Sequence, residues 1–164
     1  KDFEFFLPTH IIFGKHAERQ AGRLAAVYGK RTLLLYGSER VVKNGLLPSI
    51  EKILRVAEES ADVMVVSQKI RAFYAEKICI FAKEKQIDLL LAVGGGSVID
   101  TAKAVSIGSC YSGKLWDFYS GKAVPEKALP IGVVLTMAAT ASEANCVSVL
   151  SNETIAKKQL FIIR

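Results

Sequence analysis

The chain has 164 residues, 51% of them hydrophobic and 23% charged, which is enough for one domain with a real core and ordinary for a globular fold. Its net charge of +6 is spread over scattered Lys and Arg with no run longer than two, the pattern of a solvated surface rather than of a nucleic-acid binder. No apolar stretch approaches the ~20 residues that span a bilayer, no signal peptide is visible, and the three cysteines, Cys79, Cys110 and Cys146, form no C-x-x-C; membrane insertion, a disulfide framework and a zinc knuckle are excluded, and a cytoplasmic setting is expected.

In chain order, Ile11-Ile12-Phe13 reads as a short strand ending at Gly14, and His16 to Tyr28 has helical periodicity with Gly29 as its stop. Thr32 to Tyr36 is an uninterrupted apolar run, the mark of a strand covered on both faces. Leu46 to Glu59 returns to helical spacing with Pro48 in its first turn, Val63 to Val66 is a strand, and Ala72 to Lys85 a helix. Asp88 to Val93 is a second buried strand, Val98 to Ile107 a helix, Lys114 to Ser120 a short amphipathic turn, and Pro130 to Leu135 a strand. Strands separated by helices predict right-handed βαβ units and a Rossmann-like parallel sheet flanked by helices. Val147 to Leu150 and Gln159 to Ile163 leave that pattern as two strands of a hairpin-like excursion. The chain starts at Lys1 and closes on the apolar run Phe161-Ile162-Ile163-Arg164 without a turn residue, so residues 1–164 are expected to be one α/β dinucleotide-binding domain of a longer chain, with an apolar face that promotes a homo-oligomer such as a dimer.

The strongest local signal is the buried run ending at Val93, then Gly94-Gly95-Gly96-Ser97, then a helix. Residues without Cβ let the backbone approach a ligand, and the free N–H groups of the first helical turn favour an anion. A pyrophosphate at the carboxyl end of the strand is the natural guest. The competing reading is a tight βα turn, though one glycine suffices for that. The pattern is not G-x-G-x-x-G. Asp100 fits a capping box with Ser97 as N-cap, and a carboxylate beside a pyrophosphate would repel it, so spacing alone favours a structural role for Asp100. The turn Tyr36-Gly37-Ser38-Glu39-Arg40 follows another buried strand and could hold the adenosine end of a dinucleotide. Glu39 would suit a ribose diol and Arg40 a 2′-phosphate, and the residues leave both open. From Thr136 through Thr140, Ser142 and Glu143 to Asn145, small residues surround hydroxyls, a carboxylate and an amide; this is either a bed for a flat polar ring or a capped helix start. His10 and His16 are the only histidines and have no metal-ligand spacing, so no metal site is expected within the chain.

Together, Val93 to Lys103, Pro8 to Lys15, Val42-Lys43-Asn44-Gly45, Leu115-Trp116-Asp117-Phe118 and Leu135 to Asn145 resemble, in order, the iron-containing (group III) alcohol dehydrogenases. The branch most similar is that of butanol dehydrogenases and broad-range aldehyde reductases. The resemblance implies a dehydroquinate synthase-like N-terminal nucleotide-binding domain, followed by a helical domain whose Asp and three His bind a divalent metal, iron or zinc, beyond Arg164. It implies hydride transfer between a nicotinamide and a small alcohol or aldehyde, with no catalytic or metal residue in this chain. It implies that Gly94, Gly95, Gly96 and Ser97 hold the pyrophosphate, that Gly37 and Ser38 flank the adenosine ribose, and that Asp100 lies on the nicotinamide side. It implies further that Thr136, Thr140 and Asn145 line the cleft, and that Lys158 reaches a ribose. NAD-requiring members often carry Asp where Ser38 stands; with Arg40 and Lys43 nearby, NADP(H) is favoured, NAD(H) remaining the other choice. Three departures stand out: Ser67-Gln68-Lys69-Ile70-Arg71 replaces a Pro-Asn-Pro loop, the turn Gly37-Ser38-Glu39-Arg40 replaces a glycine-rich one, and the usual Thr-Gly-Ser reads Thr140-Ala141-Ser142. If that glycine has positive φ, Ala141 strains the loop by about 1 kcal/mol.

Overall fold

The computed structural model describes residues 7–57, 62–67, 72–152 and 157–162. A 3₁₀ turn at Ala17–Gln20 leads into α1 (Ala21–Ala25), β1 (Arg31–Tyr36), α2 (Glu39–Lys43), α3 (Leu46–Ala57), β2 (Asp62–Ser67), α4 (Ala72–Glu84) and β3 (Leu89–Gly94). There follow α5 (Gly96–Gly108), α6 (Trp116–Tyr119), β4 (Ile131–Leu135), a 3₁₀ turn at Ser142–Ala144, β5 (Val147–Asn152) and β6 (Lys157–Ile162).

Four strands form a parallel sheet in the order β2-β1-β3-β4. The apolar runs of β1 and β3 are uninterrupted because both faces are covered. Leu33, Leu35, Leu90 and Ala92 meet α4, α5 and α6 on one side, with Leu150 and Phe161 of the hairpin behind them. Leu34, Leu89, Leu91 and Val93 meet Ala25, Val41, Leu47, Ile50 and Leu54 of α1, α2 and α3 on the other. Helix α5 lies between the sheet, α4 and β5, and from Val98 to Gly108 it is buried at every position except Asp100. That accounts for its nearly all-round apolar sequence.

Beyond β1 the chain turns toward β2, and beyond β3 toward β4, on the opposite side. The carboxyl ends of β1 and β3 are therefore the switch point of the sheet, where open α/β folds leave a crevice. Tyr36 is level with Val93, which brings Gly37 beside Gly94.

Four expectations are corrected. Ile11–Phe13 is not a strand; Ile11 and Phe13 are exposed, Phe13 completely, and no described strand pairs with them. The helix expected over His16–Tyr28 is split into the 3₁₀ turn and the five-residue α1. Gly22 there packs so closely on α3 that a Cβ would come within 2.7 Å of Ala57 Cβ and of the Ile53 carbonyl. The turn after β1 continues into α2, whose N-cap Ser38 accepts from Arg40 N at 3.1 Å. Ser97 is not the N-cap of α5: extended Gly95 is, and the helix begins two residues before the expected Val98. Residues 68–71 of the departing loop lie outside the described residues.

Candidate dinucleotide site

The three glycines where β3 gives way to α5 do different jobs. A Cβ on Gly94 would fall 2.6 Å from Val98 Cγ2, and a Cβ on Gly37 would strike the same methyl group at 2.6 Å. These two glycines let the first turn of α5 sit down between β1 and β3, a packing reason that needs no ligand. Gly95 differs: its Cβ would meet nothing nearer than Met137 Cβ at 3.9 Å. Gly95 is the N-cap, at φ −97° and ψ −170°, with no side-chain cap. Val98 N and Ile99 N both turn back to the Gly95 carbonyl, while Gly96 and Ser97 are first-turn residues whose N–H groups have no intrahelical acceptor. Ser97 is exposed. An open Cβ position beside orphan N–H groups at the sheet's switch point is a cradle that an anionic ligand fits.

The segment after β4 forms the other wall. Thr136 N donates to the Gly94 carbonyl at 3.0 Å, extending the β3–β4 ladder past the strand ends. A Cβ on Gly96 would lie 2.6 Å from Thr140 Oγ1, so Thr140 rests against the glycine turn. Ala141 adopts φ 50°, ψ 34°: the position that is glycine in the Thr-Gly-Ser pattern does require the left-handed region.

Behind the wall lies a polar cluster that the sequence reading did not assemble. Lys103 is buried, 6% exposed, and its Nζ donates to Ser142 Oγ at 3.2 Å, Asn145 Oδ1 at 3.0 Å and Val147 O at 2.8 Å. Burial pulls its pKa below the ordinary lysine value, against the charges of Asp100, Cys146 and Glu143, which push it back up. Ser142 Oγ donates to Asp100 Oδ1, and Val149 N donates to Asp100 Oδ2 at 3.3 Å. Ser148 Oγ donates to the Asp100 carbonyl at 2.7 Å and lies 2.6 Å from Tyr119 OH. Asp100 is thus committed on both oxygens, Oδ1 to the 3₁₀ turn and Oδ2 to the hairpin. Asn145 is committed too: Nδ2 donates to Thr140 O and Ala141 O, and Oδ1 also accepts from Val147 N.

Of the expected site residues, Gly37, Gly94, Gly95, Gly96, Ser97, Thr136 and Thr140 gather at one end of the sheet, with Ser38 capping α2 beside them. Asp100 and Asn145 stand one layer behind, in the Lys103 cluster. Lys158 is exposed on β6 opposite Ser151, and among the described residues no hydrogen bond ties it to the glycine turn. The signal for the missed lysine was Asp100-x-x-Lys103, two opposite charges on one face of a helix otherwise lacking charge. Among the described residues no three His, Cys, Asp or Glu side chains converge, so nothing described fits a catalytic metal.

A parallel sheet flanked by helices, with a glycine turn opening onto a helix N-terminus at its switch point, defines an open α/β domain with a crevice at that end. Residues 8–163 match the family model "Iron-containing alcohol dehydrogenase", and the chain belongs to that family. It is 43% identical over 155 residues to the probable NADH-dependent butanol dehydrogenase 2 of Bacillus subtilis, covering 93% of this chain and 39% of that protein. It is 34% identical over 167 residues to the NADPH-dependent aldehyde reductase YqhD of Escherichia coli, covering 98% and 42%. The crystal structure of NADH-dependent butanol dehydrogenase A from Thermotoga maritima superposes with a TM-score of 0.93 at 34% identity, over 99% of this chain and 41% of that one. The chain spans about two-fifths of the length of these relatives.

Proposed function

We propose that this chain is the cofactor-binding part of an NAD(P)-dependent alcohol dehydrogenase or aldehyde reductase. The observation that carries the reading is Gly95, whose missing side chain leaves space next to unpaired helix N–H groups. Gly95, Gly96 and Ser97 hold the diphosphate there, with Gly94 and Gly37 shaping the turn. Gly37 and Ser38 flank the adenosine ribose. Thr136 and Thr140 line the wall, Asp100 and Asn145 support it, and Lys158 reaches a ribose. The bound nicotinamide supplies hydride exchange with a small alcohol or aldehyde; the chain's own residues bind and orient it. No step is assigned to a metal, because no described residues fit one.

For the coenzyme's phosphate, exposed Arg40 beside Ser38 and Lys43 favours NADP(H). The likeness to NADH-dependent butanol dehydrogenases of Bacillus and Thermotoga favours NAD(H) for this chain instead. Calorimetric titration of the full chain with NADPH and NADH tests both the site and the choice. Heat with NADPH at the lower Kd supports the full reading; tighter NADH reverses the choice; silence with both on folded protein removes the site. The rival function is a nucleotide-binding module without turnover, favoured by Ala141, which holds the left-handed backbone of the Thr-Gly-Ser pattern without its glycine. Metal-dependent oxidation of NADPH by butyraldehyde would dispose of that rival. Free thiols throughout and no described helix long and apolar enough to cross a membrane support a cytoplasmic setting for this activity.

A further inference from the structure

We propose that Lys103 is a positioning residue of the dinucleotide site: its ammonium pins the 140–147 segment to α5, and coenzyme affinity depends on that pin. The inference rests on the dinucleotide reading above. An ammonium has three N–H donors, and this one spends them on Ser142 Oγ, Asn145 Oδ1 and Val147 O, so none is left for a ligand. Each acceptor passes the restraint on. Asn145 holds the carbonyls of Thr140 and Ala141 at 3.2 and 2.9 Å. Ser142 reaches Asp100 on the same helix as the glycine turn. Val147 opens β5. One buried charge therefore fixes the segment whose Thr140 rests on Gly96.

That segment needs an outside restraint, because Ala141 sits in the left-handed region, where a residue with a Cβ does not stay by preference. A buried lysine is costly unless every donor is used, and using all three on one loop ties loop order to the charge. The ionisable groups around Nζ are Asp100 from α5 and Glu143 and Cys146 from the loop. Tyr119 of α6 is linked to the same cluster through Ser148 of β5.

Substitution Lys103→Met keeps the stem and removes the donors; Lys103→Arg keeps charge and several donors. With the full chain and NADH or NADPH, whichever binds wild type, Lys103→Met is expected to raise Kd by about tenfold or more, and Lys103→Arg to restore part of it. Both are measured where circular dichroism shows a folded chain. A role confined to stability would lower the melting temperature and leave Kd alone. The second readout is the pH profile of Kd in a Cys146→Ser background, which removes the neighbouring thiol. Affinity should hold near neutrality and fall as pH rises through a Lys103 pKa below 10.5, since the neutral amine has two N–H groups for three acceptors. The profile of Lys103→Met should be flat. A wild type that binds neither coenzyme overturns the dinucleotide reading, and this inference with it. A wild type that binds, with an unchanged Kd in Lys103→Met, overturns the pin alone. If Lys103→Met does not fold, the profile in the Cys146→Ser background decides: a fall supports the pin and a flat line overturns it.

Discussion

Gly94 and Gly95 are adjacent, yet the structure gives them separable roles. A methyl group on Gly94 collides with Val98 at 2.6 Å, whereas one on Gly95 stands in ordinary contact with Met137 at 3.9 Å. Gly94→Ala is therefore expected to cost about 1–3 kcal/mol of stability through overpacking. Gly95→Ala, at a φ of −97° that any residue adopts, should change stability by less than about 0.5 kcal/mol and still weaken coenzyme binding. Denaturant melts and calorimetric titrations of the two variants give the contrast. Equal affinity in wild type and Gly95→Ala would show that nothing approaches that turn. Ala141 is the reverse case, a Cβ where the backbone asks for glycine. Ala141→Gly should raise stability by up to about 1 kcal/mol, less whatever the freer unfolded chain takes back; a lowered melting temperature would contradict the strain. The glycine turn was legible because its residue types sit at a strand end. Lys103 was not: a lone lysine reads as surface, and only the three-dimensional meeting of α5 with residues 142–147 turns it into an anchor.

Long elements with a continuous or periodic apolar face announce themselves, and β1, β3, α3, α4, α5 and the hairpin lie where their apolar spacing puts them. Short ones do not. Five-residue α2 has too few turns to show a period, and its signal was one capping hydroxyl, Ser38, read as part of a loop. Ile11–Phe13 has strand composition but no partner among the described strands, and β propensity without a partner makes no strand. The β1–β3 pair is clamped at its amino end by Asp88. That carboxylate accepts from Lys30 N at 3.1 Å, Arg31 N at 3.0 Å and the Arg31 guanidinium at 3.3 and 3.4 Å. Desolvation raises its pKa, but the Arg31 and Lys30 hydrogen bonds and the Arg31 charge outweigh it, and the net shift is downward. A carboxylate with a lowered folded pKa contributes stability that is present above its unfolded value of 3.8 and lost as pH falls through the folded one. Asp88→Asn should thus cost about 1–2 kcal/mol at neutral pH, and the gap from wild type should close below about pH 4. Urea titrations at pH 7 and pH 3 measure it, and an equal gap at both would contradict the clamp.

At the scale of the whole molecule, the hairpin is apolar on both faces. Ser148, Leu150 and Phe161 face inward, with Phe161 against Phe118 and Tyr119 at ring-centroid distances of 5.9 and 5.7 Å. Strand alternation turns their neighbours the other way, and the register pairs Val147 with Ile162 and Val149 with Leu160 on one outer face. Leu160 is 54% and Ile162 46% exposed. Four apolar side chains in cross-strand register make a contiguous patch of the kind that soluble surfaces cover. Other exposed apolar side chains among the described residues, such as Phe13, Val56 and Val124, lie on separate elements, whereas the hairpin presents its four in paired register. The chain is expected to sediment as species heavier than its monomer at micromolar concentration, and the Leu160→Lys, Ile162→Lys double variant to move it toward monomer. Added salt should leave the wild-type distribution in place, because the contact is apolar rather than ionic. A wild type that stays monomeric across that range would show that the patch does not drive association.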